Sequence, residues 1–223
     1  MDKIDKESVI SFDFEPQTVV LGGGNYPKHV VPLRLLTESE RLVCCDGSAN
    51  QFLKMEKRPW RIVGDGDSLS EAAKLKFKDI IRINPDQETN DQTKAVHYLQ
   101  SKGYNRIAIV GATGEREDHT LGNISLLIEY MRQGMAVRMF TDYGMFVSCS
   151  GDQKFSFSIG TAVSVFGFGT KTMRSEGLAY PLYDFNNWWQ GTLNHSVAET
   201  FTISCQGEYL VYVSYENKKV KEK

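Results

Sequence analysis

From Thr18 to about Thr141, short β-branched and aliphatic runs alternate with segments whose apolar positions recur at three- and four-residue steps. The runs Thr18–Leu21, Arg41–Cys45, Arg61–Gly64, Ile80–Ile83, Arg106–Val110 and Met135–Phe140 read as strands. Strands alternating with helices predict a mostly parallel sheet covered by helices, an α/β fold. One helix is expected over Asp118–Gln133, where Leu121, Ile124, Leu127, Ile128 and Met131 share a face and Gly134 supplies a stop. A second, roughly Thr89 to Lys102, turns Ala95, Val96 and Leu99 inward. Its first turn holds Asn90 and Asp91, where unpaired N–H groups favour acidic side chains and ligand anions.

After about Gly144 the rhythm changes to short strands and glycine-rich turns, as in Lys154–Ser158, Ala162–Phe166, Phe201–Cys205 and Tyr209–Tyr215. This pattern predicts a C-terminal antiparallel β-sandwich. Asp142, Gly144, Gly151 and Asp152 place the boundary near residues 143–152, giving an α/β domain over residues 1–146 and a β-sandwich over 147–223. Ile10, Phe12 and Phe14 alternate with Ser11, Asp13 and Glu15, which allows an extra N-terminal strand.

Composition narrows the partners. The 223 residues are 41% hydrophobic and 24% charged, the balance of a soluble globular protein. A formal charge of −2, with Lys and Arg dispersed, argues against general attraction to nucleic acid or membrane. The basic cluster Lys218–Lys223 reads as a solvated end. Cys44, Cys45, Cys149 and Cys205 form no C-x-x-C pair and meet no His at zinc-finger spacing. Met1–Glu7 is charged and leads into no apolar stretch, and no apolar run approaches ~18 residues. A cytoplasmic protein with reduced thiols is expected.

Ligands of open α/β sheets bind beyond the carboxyl ends of the strands, and here those ends lead into acid and glycine. The loops are Asp46-Gly47-Ser48-Ala49-Asn50, Asp65-Gly66-Asp67-Ser68, Asn84-Pro85-Asp86-Gln87 and Gly111-Ala112-Thr113-Gly114-Glu115-Arg116. Asp46, Asp65, Asp67, Asp86 and Asp91 on one rim would repel one another unless a cation lay among them, and carboxylates suit Mg²⁺. Asp65 to Ser68 alone also reads as a tight turn, and Gly111 to Gly114 as a strand-to-helix connection. Arg116 and the following helix start favour phosphate at the second loop. Ser70 at the sixth position disfavours an EF-hand, and neither G-x-x-x-x-G-K-[ST] nor G-x-G-x-x-G is completed, the Gly22-Gly23-Gly24-Asn25 turn included. His119 reads as a capping residue, and Trp188 and Trp189 as packing residues.

In order and spacing, four of these strings resemble the motif set of the thiamine pyrophosphokinase family: Asp46 to Asn50, Gly64 to Ser68, Pro85-Asp86-Gln87 with Asp91 and Lys94, and Gly111-x-x-Gly114-x-Arg116-x-Asp118-His119. The similarity continues through Gly177-Leu178-Ala179-Tyr180-Pro181-Leu182 and Gly191-Thr192-Leu193-Asn194. The resemblance implies an α/β ATP-binding domain followed by a β-sandwich, in a homodimer with active sites between subunits. It implies Mg²⁺ on Asp65, Asp67 and Asp91, and ATP held by Asn25, Asp86, Gln87, Lys94, Gly111, Gly114, Arg116 and Asp118. Asp46, Asn50, Tyr180 and Asn194 would face thiamine, and the catalytic set would be Asp46, Asp65, Asp67, Asp91 and Arg116. The chain departs from the family pattern at Gly66, where a bulky residue is usual. It departs again at Asn90 and Gln92, in place of Thr and Phe, and at Leu193, in place of Ser.

The activity so implied is pyrophosphoryl transfer from ATP to the thiamine hydroxyl, which asks a protein mainly for in-line positioning and charge stabilisation. Asp46 is the carboxylate expected closest to the attacking hydroxyl, and Tyr180 offers the thiazolium cation an aromatic face. Two rivals share some of these features. A metal-dependent glycosyl- or nucleotidyltransferase would explain Asp65 and Asp67, and a non-catalytic ATP- or thiamine-binding module would explain the loops without turnover.

Overall fold

The computed structural model describes residues 9–217. The charged start Met1–Glu7 and the basic tail Lys218–Lys223 lie outside the described residues. Two compact units divide the chain, and neither is continuous in sequence. One comprises Pro16–Leu126 and Gly134–Asp142; the other takes the described residues up to Glu15, then Leu127–Gln133 and the chain from Tyr143 onward. Where a single cut between residues 146 and 147 is expected, the chain passes from one unit to the other at each of these points.

The first unit runs β1 (Thr18–Leu21), α1 (Val30–Glu38), β2 (Leu42–Cys45), a 3₁₀ segment (Asp46–Lys54), β3 (Arg61–Gly64), α2 (Glu71–Lys76), β4 (Ile81–Ile83), α3 (Asp91–Ser101), β5 (Arg106–Val110), the start of α4 (Glu117–Arg132), and β6 (Ala136–Phe140). All six strands pair in parallel, in the order β6-β5-β1-β2-β3-β4. Central strands read Val-Val-Leu, Leu-Val-Cys-Cys and Ile-Ala-Ile-Val without polar alternation because both faces are covered, and these residues are buried. α3 lies against β2 and β3 and buries Ala95, Val96 and Leu99 completely, each larger side chain contributing roughly 1.5–3 kcal/mol. Asn90 caps α3 by accepting from the Thr93 N–H at 2.9 Å. The expected inward face of α4 holds at Leu127 and Ile128 but fails at its start, where Leu121 is 58% exposed. Periodicity marks an apolar stripe, but it does not say how much of the stripe a neighbour covers.

β1 is joined to β2 on one side and to β5 on the other, so the strand order reverses direction between β1 and β5. The two glycine-rich turns meet there. Gly24 N–H donates to Gly111 O at 2.7 Å and Asn25 N–H to Thr113 O at 2.8 Å. A Cβ on Gly24 would sit 2.4 Å from Thr113 O and 2.7 Å from Thr113 N, which is why the turn needs glycine.

The second unit is antiparallel. β7 (Gly144–Ser150) and β8 (Gln153–Ser156) pair with one side of β11 (Thr200–Asn217), β9 (Thr161–Glu176) pairs with the other, and β10 (Asn194–His195) pairs antiparallel with the far edge of β9. The segment 143–152, expected as a boundary, contains strand β7. Phe201–Cys205 and Tyr209–Tyr215, expected as separate strands, belong to the single strand β11, because Gly207 sits beside register shifts and not in a turn. Across those shifts β9 carries Gly169 (φ 72) and Thr172 (φ 57), the signature of bulges. No strand forms over residues 11–17; Ile10 makes one parallel bridge to Phe155. The alternation there still governs packing. Ile10 and Phe14 are buried, and Phe12 lies 4.8 Å from the Phe157 ring and 5.3 Å from the Tyr215 ring.

Gly24→Ala is expected to destabilise the chain by about 2 kcal/mol, the cost of forcing a methyl into closed backbone contact. Urea unfolding with an unchanged m-value checks it.

Candidate functional site

β2 and β3 end side by side, and each delivers a carboxylate. Asp46 follows β2 with φ 33, a left-handed backbone rare outside glycine, and is only 2% exposed. Its Oδ2 accepts the Ser68 N–H at 2.8 Å, while Oδ1 is buried with no hydrogen-bond partner. Gly64 makes room for it, since a Cβ on Gly64 would lie 2.6 Å from the Asp46 Cβ. Asp65 follows β3, and its Oδ1 accepts the Asp67 N–H at 3.1 Å. Asp91 opens α3. One ligand atom from each of Asp46, Asp65 and Asp91 lies within 4.8 Å of the others.

Lys94, one turn into α3 and 3% exposed, points into this group. Its Nζ is 3.2 Å from Asp91 Oδ1 and 3.5 Å from Asp65 Oδ2. One ammonium cannot offset three carboxylates. Burial raises the Asp91 pKa, Lys94 opposes that rise, and Asp46 and Asp65 add to it. Asp65 moves the other way, held down first by the Asp67 N–H and also by Lys94. The signs therefore differ. Asp65 stabilises the fold above its ordinary value of 3.8 and loses that contribution as pH falls. Asp91 favours the fold at low pH and loses that contribution as pH rises through its elevated midpoint. Clustered carboxylate oxygens, one of them buried and unpartnered, fit a hard divalent cation such as Mg²⁺.

The group opens into a cleft of about 740 Å³, also lined by Gly22 to Gly24, Gln87, Arg116 and Asp118. Arg116 and Asp118 form an exposed two-pronged pair, Nε to Oδ1 at 3.1 Å and Nη2 to Oδ2 at 2.6 Å. The bond from Arg116 holds the Asp118 carboxyl at about 2. Gly111 and Gly114 bracket the glycine loop, and Asn25 Nδ2 donates to Gly114 O at 2.8 Å, pinning the loop to the β1 turn.

Other expected residues are placed differently. Asp67 is exposed and stands outside the three-carboxylate group, which takes Asp46 instead. Asp86 shapes its own turn, accepting from Thr89 Oγ1 and from the Glu88 N–H. Asn50 ties the 3₁₀ segment to the next loop, donating to Ser68 O at 3.0 Å and accepting from Ser70 Oγ at 2.8 Å. Tyr180 and Asn194 belong to the antiparallel unit. There the Tyr180 N–H donates to Asn194 Oδ1 at 3.1 Å, Asn194 Nδ2 donates to Tyr180 O at 2.7 Å, and the Tyr180 side chain is largely exposed. Trp188 packs on Phe166 and Phe168. Ser48, Gln92, Thr113 and Asn123 also line the cleft, and none of them is expected from the sequence as a site residue; Asn123 lies off the apolar stripe of α4, where the sequence shows only a polar position.

An open parallel sheet with facing glycine turns at its switch point and a carboxylate–lysine cluster beside them defines the class of open α/β proteins that take their ligands beyond the carboxyl ends of the strands. Residues 33–139 match the family model "Thiamin pyrophosphokinase, catalytic domain", and residues 144–212 match "Thiamin pyrophosphokinase, substrate-binding domain". The chain belongs to the thiamin pyrophosphokinase family. It is 29% identical to thiamin pyrophosphokinase 1 of Caenorhabditis elegans over 44% of this chain and 43% of that protein. It is 31% identical to thiamine pyrophosphokinase 1 of Oryza sativa subsp. japonica over 43% of this chain and 46% of that one. The matched stretch thus spans less than half the length of either relative. Among solved structures, the thiamin pyrophosphokinase from Candida albicans shares the fold with a TM-score of 0.73 at 20% identity, covering 96% of this chain and 95% of that one. The thiamine pyrophosphokinase from Bacillus subtilis does so with a TM-score of 0.73 at 19% identity, covering 88% and 98%.

Lys94→Met is expected to cost about 3 kcal/mol at neutral pH without divalent cation, because three carboxylates then face one another unrelieved. Millimolar Mg²⁺ should restore part of that loss in a thermal melt. In Arg116→Ala, the Asp118 titration midpoint should climb from about 2 toward 3.8, read by carboxyl NMR.

Proposed function

We propose that this chain is a Mg²⁺-dependent thiamine pyrophosphokinase that moves the pyrophosphoryl group of ATP onto the hydroxyl of thiamine. The meeting of Asp46, Asp65, Asp91 and Lys94 at the mouth of a cleft bordered by glycine turns carries the reading. The thiamine hydroxyl oxygen forms a bond to the β-phosphorus, the bond from that phosphorus to the α–β bridging oxygen breaks, and AMP leaves with that electron pair. The hydroxyl proton passes to solvent. Asp46, Asp65 and Asp91 would hold Mg²⁺, with exposed Asp67 as a further carboxylate in the same loop. The ion supplies charge neutralisation on phosphate oxygens when bound.

Lys94 and Arg116 are assigned to the phosphate chain, where fixed cations stabilise charge that develops in the transition state. Arg116 would exchange or share its bond to Asp118 in doing so. Gly111 and Gly114 let the backbone approach the phosphates, with Asn25 holding the loop and Asp86 and Gln87 completing the ATP side. Asn50, Tyr180 and Asn194 are assigned to thiamine; the exposed Tyr180 ring suits a thiazolium cation. A homodimer with active sites between subunits, as the family resemblance implies, and a cytoplasmic location belong to the same proposal. Four free, buried cysteines suit a reducing compartment, and among the described residues no helix is long and apolar enough to cross a membrane.

Incubation of the pure chain with ATP, Mg²⁺ and thiamine should yield AMP and thiamine diphosphate. ADP with thiamine monophosphate, or ligand binding without AMP release, would overturn the reading. Asp91→Asn should lower kcat by roughly two orders of magnitude or more, the scale of losing a pre-organised electrostatic group.

A further inference from the structure

Asn123, on the second turn of α4, reaches two separate parts of the cleft at once. Its Nδ2 donates to Ala112 O at 2.9 Å, inside the glycine loop after β5. Its Oδ1 accepts from Asn90 Nδ2 at 2.9 Å, and its backbone carbonyl accepts from Gln92 Nε2 at 3.1 Å. Asn90 in turn caps α3 through the Thr93 N–H. A directional chain of hydrogen bonds therefore runs from the glycine loop through Asn123 and Asn90 into the helix start that presents Asp91 and Lys94. A short side chain carrying both a donor and an acceptor on a rigid amide is what the bridge requires.

We infer that Asn123 is a positioning residue that sets the distance between the phosphate-side glycine loop and the Asp91–Lys94 end of α3. The inference rests on the proposed ATP-dependent activity, and it names a residue through which the two halves of the ATP cleft are held in register. Gly111 and Ala112 leave β5, while Asp91 and Lys94 ride on α3, which lies against β2 and β3. Asn123 joins them through its bonds to Ala112 and Asn90. A misplacement of a fraction of an ångström at either end changes how a polyphosphate spans both.

Asn123→Asp keeps the shape and the acceptor for Asn90, but it removes the donor to Ala112 and sets a carboxylate against that carbonyl. Asn90→Ser keeps a helix cap while cutting the bond to Asn123. Both variants should raise the ATP KM roughly tenfold, the effect of losing about one hydrogen bond, with the thiamine KM nearly unchanged and the melting temperature lowered by only a few degrees. Both should weaken equilibrium Mg·ATP binding in the same proportion. Unchanged ATP parameters would overturn the inference, as would ATP and thiamine KM rising together in step with lost thermal stability, which marks a purely structural role. A wild-type chain that binds Mg·ATP but forms no thiamine diphosphate refutes the proposed activity while leaving the binding comparison decisive for Asn123. A wild-type chain that binds no Mg·ATP overturns both.

Discussion

Three carboxylates held within 4.8 Å of one another, with a single buried lysine among them, is the constraint on which the α/β unit turns. At an effective dielectric near 20, each such pair of charges repels by roughly 3–4 kcal/mol, so the arrangement survives only because other features oblige it. Asp46 adopts a left-handed backbone beside a glycine that leaves it space, and Asp65 takes its loop's own N–H. Asp91 rides on a helix capped by Asn90 and buried at Ala95, Val96 and Leu99. Packing energy elsewhere in the sheet offsets electrostatic strain here, and that strain is what a divalent cation would relieve.

The strand order makes the rest of the cleft a matter of geometry. β5 returns to β1 after the chain has built out through β2, β3 and β4, so the turns after β1 and β5 become neighbours although they lie far apart in sequence. Their glycines matter for closeness more than for flexibility: backbone meets backbone at Gly24 and Thr113, and Asn25 closes on Gly114. The carboxylates arrive from β2, β3 and α3 on the other side of β1, so the glycine loop and the carboxylate cluster are set at neighbouring strand ends by topology.

Much of this was legible in the sequence because parallel strands buried on both faces leave unbroken apolar runs, and the chemistry follows each run directly. Arg61–Gly64 and Arg106–Val110 need no correction at either end. The antiparallel unit was harder to read. Glycines at 167, 169 and 207 look like turns, yet they lie inside two long strands, Gly167 in regular register and Gly169 and Gly207 at a register shift, and punctuation around Gly144 and Gly151 conceals β7. At the site, spacing indicated which loops carry acids but not which way each side chain faces. Asp46 joins Asp65 and Asp91 in the cluster through a left-handed backbone angle one residue past β2, and no pattern of residue types encodes that angle.

The departures from the family pattern gain a physical meaning from the same backbone angles. Gly66, where a bulky residue is usual, has φ 88, and a Cβ there would meet the Ile83 side chain at 2.9 Å, so the glycine answers the local path of the Asp65–Asp67 turn. Asn90 and Gln92 both bond to Asn123, so their polar side chains tie α3 to α4 in place of apolar contact. Leu193 is one of three non-glycine residues with positive φ among the described residues, alongside Asp46 and Thr172. Its side chain is 75% exposed, while the next residue, Asn194, is buried and bonded to both backbone groups of Tyr180. The strain at Leu193 is thus borne by a backbone path that the Asn194–Tyr180 bonds maintain. Leu in place of Ser alters what this turn exposes and leaves its course intact, while the other three departures stand at the carboxylate cluster itself, in the Asp65–Asp67 turn and on either side of Asp91.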